Sequence, residues 1–254
     1  EYSLRFDVPT MAQFSSEVDL TNLLESRVNP KSVDYFKQRI GERKCETALV
    51  RSPGPFLLCL GNEAATLSDF ESSASTVVDY INGVIDNLSI DNLYVFLDEF
   101  ETRQGLSIAD RHSVWKSVFD RLTNNGVVRG VNFVGVDRFG SLNLRDFFYL
   151  GDSSAPLAFD IVAFNAVSYP SINFKRDGYY LDYREAGGEI AWGVVDSRRD
   201  GSVSTLYDVP DFREGDLVAI VGHHISNERQ LGIGLEHMRN MKPRLRNTLD
   251  ASIQ

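Results

Sequence analysis

Leu93-Tyr94-Val95-Phe96-Leu97 is an unbroken apolar run that leads straight into Asp98, Glu99 and Glu101. A run of this length, rich in β-formers and without a polar interruption, predicts a strand buried on both faces. Strands of this kind in α/β folds carry their terminal side chains to the rim of the sheet, where such folds place their ligands. The rest of the chain is read around this stretch.

Upstream, residues 3–9 alternate apolar and polar and predict a short strand ended by Pro9. Ser16-x-x-Asp19 predicts one helix start and Asn29-Pro30 a second, closed by Gly41. A strand is predicted over Glu46 to Val50, a turn at Ser52-Pro53-Gly54-Pro55, and a second buried strand over Phe56 to Leu60, ending at Gly61-Asn62-Glu63. Ser68-x-x-Glu71 has the spacing of a capping box. It opens a helix with Phe70, Val77, Val78, Ile81, Ile85 and Leu88 on one stripe.

Downstream of the acids, Ser107-x-x-Asp110 caps a helix carrying Val114, Trp115, Val118, Phe119 and Leu122 on one face, and Asn124-Asn125-Gly126 ends it. Val131 to Asp137 is again strand-like. Strand, helix and strand in this order predict a right-handed βαβ unit with parallel neighbours. A short helix fits Leu142 to Leu150 and a strand fits Ala158 to Phe164, ending at Asn165.

Near Tyr169-Pro170 the pattern changes. Turn signals at Arg176-Asp177-Gly178, Ala186-Gly187-Gly188 and Arg199-Asp200-Gly201 bracket strand-like runs at Tyr179 to Tyr183 and Glu189 to Asp196. These predict antiparallel hairpins. Asp216 to Gly222 forms a last strand, ending at His223-His224, and a weakly helical tail follows. No internal repeat is apparent. The expected fold is α/β, a mostly parallel mixed sheet with βαβ units and a C-terminal antiparallel meander. The alternative is a distorted (β/α) barrel. Residues 1–168 form the expected α/β core, and 169–254 the antiparallel extension and tail, in one continuous domain.

Composition narrows the function classes. A net charge of -10 over 254 residues argues against a nucleic-acid or anionic-membrane surface, because phosphate recognition needs clustered Lys and Arg. No apolar run approaches the ~18 residues of a membrane-crossing helix. Cys45 and Cys59 are the only cysteines and read as thiols rather than as a stapled scaffold. The chain opens on Glu1 rather than Met, which reads as a processed product or an excerpt.

Candidate chemistry gathers at strand ends. Asp98, Glu99, Glu63 and Asp137 are the candidate catalytic residues, and Glu101, Arg138, Asn165, Asp196 and His223 the candidate ligand-binding ones. Paired carboxylates at one rim suit acid–base work or a divalent cation such as Mg²⁺ or Mn²⁺. The bland alternative is that strand ends are polar because they reach solvent. The acids need a counter-charge, for which Arg103, Arg138 or a metal is the expectation. The stretch resembles the acidic half of an NTPase site, but no Gly-x-x-x-x-Gly-Lys occurs. His223 and His224 are adjacent, so on a strand they face opposite sides. Tyr179, Tyr180 and Tyr183 suggest either an aromatic platform or ordinary sheet packing.

Two functional readings follow. One is a carboxylate-dependent hydrolase acting on a glycosidic or phosphoester bond of a small-molecule or carbohydrate substrate. The other is a non-catalytic structural or protein-interaction component with a protein partner, such as a processed viral or scaffold protein.

Overall fold

The computed structural model describes residues 3–6, 34, 37–38, 41–42, 47–59, 62, 64–86, 88, 90–99, 105–133, 146–151, 157–164, 178–196 and 212–221. The chain divides into two compact units, Glu1–Gly135 with Gly151–Asp160, and Val136–Leu150 with Ile161–Gln254. The helix predicted from Ser16, the strand residues beyond Phe133, the turn at 199–201 and the tail lie outside the described residues; of the helix predicted from Asn29-Pro30, Asp34, Lys37 and Gln38 are helical, and so are Gly41 and Glu42, so Gly41 does not close it.

The first unit holds β1 (Ser3–Phe6), β2 (Thr47–Pro53), α1 (Pro55–Leu58), α2 (Leu67–Ile85), β3 (Asn92–Glu99), α3 (Ile108–Phe119) and β4 (Val127–Phe133). Its strands are parallel and lie in chain order, β1-β2-β3-β4. The expected βαβ unit is therefore present as β3-α3-β4. Each crossover steps the same way along the sheet, so right-handed connections put α2 and α3 on one face. The side chains agree. Ala48, Val50 and Ser52, then Leu93, Val95, Leu97 and Glu99, then Val131 and Phe133 alternate onto that face, and all are buried. Against them α2 lays Phe70, Ala74, Val77, Val78 and Ile81, and α3 lays Val114, Trp115, Val118 and Phe119.

Two local expectations change. In the predicted strand Phe56 to Leu60, Phe56 to Leu58 is helical, and Leu60 lies outside the described residues. β2 runs on through the supposed turn to Pro53, and Pro55 then occupies the first turn of the one-turn helix α1. The helix α2 starts at Leu67 rather than after Ser68, because Thr66 and Asp69 form the capping box. The Thr66 amide and hydroxyl both donate to Asp69 Oδ2 at 2.7 Å. These bonds hold the Asp69 carboxyl below its ordinary range. The α3 cap is as expected: Ser107 Oγ accepts from the Asp110 amide at 3.1 Å.

The second unit holds β5 (Ile161–Phe164), α4 (Gly178–Glu185), β6 (Glu189–Asp196) and β7 (Leu217–Val221), with β5-β6-β7 parallel and in chain order. The antiparallel meander is thus overturned. Tyr179 to Tyr183 is helical, and Tyr180, Tyr183 and Arg184 form its buried stripe at helical spacing. Ala186-Gly187-Gly188 is the end of that helix, not a hairpin. Gly187 has φ +89, its amide reaches the Arg184 carbonyl at 3.2 Å, and the Gly188 amide reaches the Tyr183 carbonyl at 2.9 Å. That is the Schellman closure. Tyr180 and Tyr183 pack inward, both 5.4 Å from the Phe148 ring, while Tyr179 is exposed.

One glycine in β4 is dictated by packing. A Cβ on Gly130 would lie 2.6 Å from ring atoms of Phe96, its register partner on β3. Gly130→Ala is expected to destabilise the first unit by about 1–3 kcal/mol in urea unfolding. Combining it with Phe96→Leu should cost less than the two single changes added together. Strict additivity would show that the two sites do not touch.

Candidate functional site

The face of the β2–β4 sheet opposite α2 and α3 is built from three rows in register. Leu49, Tyr94 and Val128 form the first, Arg51, Phe96 and Gly130 the second, and Pro53, Asp98 and Asn132 the third. Leu49, Tyr94, Val128, Arg51 and Asn132 are half-buried, whereas Pro53, Phe96, Asp98 and Gly130 are buried. The last row lies at the C-terminal ends of the strands.

Asp98 sits in the middle of that last row. Arg51 reaches it in a forked pair, with Nη2 at 2.6 Å from Oδ2 and 2.7 Å from Oδ1, and Nε at 3.1 Å from Oδ1. Asn132 Nδ2 donates to Oδ1 at 2.8 Å. The Asp98 side chain is 4% exposed and that of Arg51 14%. The counter-charge for this acid is therefore Arg51. Arg103 and Arg138 lie outside the described residues.

Glu99, one residue on, points to the other face and is fully buried. Trp115 Nε1 donates to its Oε1 at 2.9 Å, the Phe56 amide to Oε1 at 3.4 Å, and the Leu57 amide to Oε2 at 3.0 Å. Gly54 leaves room for the carboxyl, since a Cβ there would lie 2.1 Å from Oε1. The Gly54 amide is held by the Asp98 carbonyl at 2.7 Å. Burial pushes the Glu99 carboxyl up to about 8, against the pull of its three N–H donors. Asp98 and Glu99 are thus neighbours in sequence on opposite faces of one sheet, each with its own set of partners.

The remaining candidates are not assembled with them among the described residues. Glu63, Glu101, Asp137, Arg138, Asn165 and His223 lie outside those residues, and Asp196 is described only as the last backbone position of β6. Among the described residues no group of three His, Cys, Asp or Glu side chains could hold a metal ion. None of the described helices is long and apolar enough to cross a membrane. Cys59 is buried, with its Sγ 3.0 Å from Ser73 Oγ; Cys45 lies outside the described residues.

Sequence reasoning missed Arg51, Asn132 and Trp115 as partners of the acids. It also missed a second buried carboxylate centre. Asp216 accepts from Arg184 Nη1 at 2.6 Å and Nη2 at 2.8 Å, from the Ile190 amide and Trp192 Nε1 at 2.9 Å each, and from the Arg213 amide at 3.0 Å. The signal for Arg51 was available. Two strands in parallel register put Arg51 and Asp98 on one face, but only once β2 is extended to Pro53. No family model matches the chain, and neither does any curated protein or solved structure.

Proposed function

We propose that this chain is a non-catalytic protein-interaction module, and that a partner protein reads the face of the β2–β4 sheet opposite α2 and α3. The observation that carries the reading is the winding of the sheet. Strands in chain order put α2 and α3 on one side, so neither of these crossover helices covers the other side, an arrangement in which solenoid-type proteins present a binding face. The row Leu49, Tyr94 and Val128 gives that face an aliphatic and aromatic band. The acids support the same reading, because Asp98 and Glu99 are each engaged by side chains or amides of the chain itself.

One observation favours the hydrolase reading, on a glycosidic or phosphoester bond. Asp98, Arg51 and Asn132 meet at the C-terminal ends of neighbouring parallel strands, where α/β folds carry their chemistry. A photo-crosslinking residue at position 94, compared with one at the exposed position 71 of α2, separates the two. The expected result is one discrete protein crosslinked from position 94 and not from 71. Turnover of aryl glycosides or phosphate esters that disappears in Asp98→Asn would put the hydrolase first.

A further inference from the structure

Among the described residues, three buried or half-buried aspartates are neutralised by a forked arginine: Asp98 by Arg51, Asp160 by Arg129 and Asp216 by Arg184. Glu99 is different. It is as buried as any of them, yet among the described residues its partners are only neutral N–H groups from Trp115, Phe56 and Leu57. These partners come from two separate elements. The carboxyl is wedged between the Gly54–Leu58 turn and α3, and the Phe56 ring touches both the Trp115 ring at 5.3 Å and the Phe70 ring of α2 at 4.7 Å.

We propose that Glu99 is a pH-sensitive latch: its neutral carboxyl holds the Gly54–Leu58 turn against α3, and loss of its proton releases that turn. A carboxylate without a cation is costly inside a sealed site, and the cheapest relief is to admit water by moving the segment that closes it. The Gly54–Leu58 turn is that segment. Its single helical turn is closed by Leu58 N–H to the Gly54 carbonyl at 3.1 Å, and it is tied to β3 through the Gly54 amide and the Glu99 carboxyl.

The surrounding groups leave Glu99 as the titrating one. On β3 itself Asp98 faces the other side and is paired with Arg51. From β2 the neighbour is Ser52, which donates to the Pro53 carbonyl at 3.0 Å, and from β4 it is Phe133. α3 brings Trp115, with the His112 ring 5.3 Å from it, Arg111, whose guanidinium donates to the Leu106 carbonyl, and Lys116 further along the same helix. α2 brings Phe70, and Asp69 at its start is occupied by Thr66. His112 is therefore the other group to exclude.

The linkage has a definite sign. The closed form keeps the Glu99 proton up to about pH 8, whereas the open form gives it up near the ordinary 4.5. Opening is thus favoured about tenfold per pH unit between those values and levels off above them. Native-state amide exchange at Phe56 and Leu57, corrected for the intrinsic pH dependence, reads this directly. Protection of those amides should fall about tenfold per unit from pH 5 to 8 and then flatten, while that of Val77 and Val78 in α2 falls less. Glu99→Gln should flatten the dependence, and His112→Gln should leave it. Trp115→Phe removes a donor that favours the charged form, so its plateau should begin at higher pH. Protection at Phe56 and Leu57 that stays constant over this range in the unmodified chain, or a slope abolished by His112→Gln, would overturn the proposal.

Discussion

Trp115→Ala is expected to destabilise the first unit by about 3–5 kcal/mol, the upper range for a core aromatic. The indole is fully buried, edge-on to Phe56 at 5.3 Å and tilted against Phe159 at 5.2 Å, with Phe119 closing on Phe159 at 6.0 Å. Truncation opens a cavity between α1, α3 and the segment before β5. It also removes the donor to Glu99, so a carboxyl already short of partners loses one more. The check is urea unfolding in a Trp192→Phe background by circular dichroism. Trp115→Phe keeps most of the volume and should cost roughly half as much. A loss under ~1 kcal/mol for the alanine variant would mean that this helix face does not carry the core.

How far the fold was legible depended on the period of each run. The stripes of α2 and α3 and the βαβ unit around β3 were readable because 3.6-residue and continuous apolar patterns were long enough to be unambiguous. Two short segments were not. Pro55 to Leu57 is apolar on every side because α1 is buried there among β3, α2 and α3, and a one-turn buried helix has no polar face to reveal its period. Tyr179 to Tyr183 reads as a strand between its flanking turn signals, although Tyr180, Tyr183 and Arg184 carry the helical spacing and Gly187-Gly188 the cap. The misreading of that glycine pair as a hairpin turn produced the antiparallel meander.

The candidate site was legible in part for a related reason. Alternation along β3 puts Asp98 and Glu99 on opposite faces, which follows from sequence alone. Their partners do not follow. Arg51 lies far from Asp98 in sequence and becomes a neighbour only through register, and Asn132 belongs to a strand whose start was placed four residues late, at Val131 instead of Val127. Glu99 needs Trp115 and the α1 amides, and α1 was expected as a strand. Burial of a carboxylate is visible in sequence; what neutralises it is a property of the assembled sheet.

The same principle sets the second large expected effect, in the other unit. Asp216→Ala should cost about 3–5 kcal/mol, because it leaves the Arg184 guanidinium charged, 1% exposed and without its carboxylate. The same change removes the acceptor for the Ile190 and Arg213 amides and for Trp192 Nε1, so one carboxylate holds α4, β6 and the approach to β7 together. Asp160→Ala is the internal comparison. Asp160 also makes a forked pair, with Arg129, but the two side chains are 35% and 21% exposed, so water replaces the lost partner and the cost should be on the order of 1 kcal/mol. Trp192 emission in a Trp115→Phe background reports the second unit by itself, and circular dichroism follows the whole chain. If the two alanine variants cost the same, desolvation does not govern these pairs. In that case Asp98 and Glu99, too, would have to be explained by something other than the depth at which they are buried.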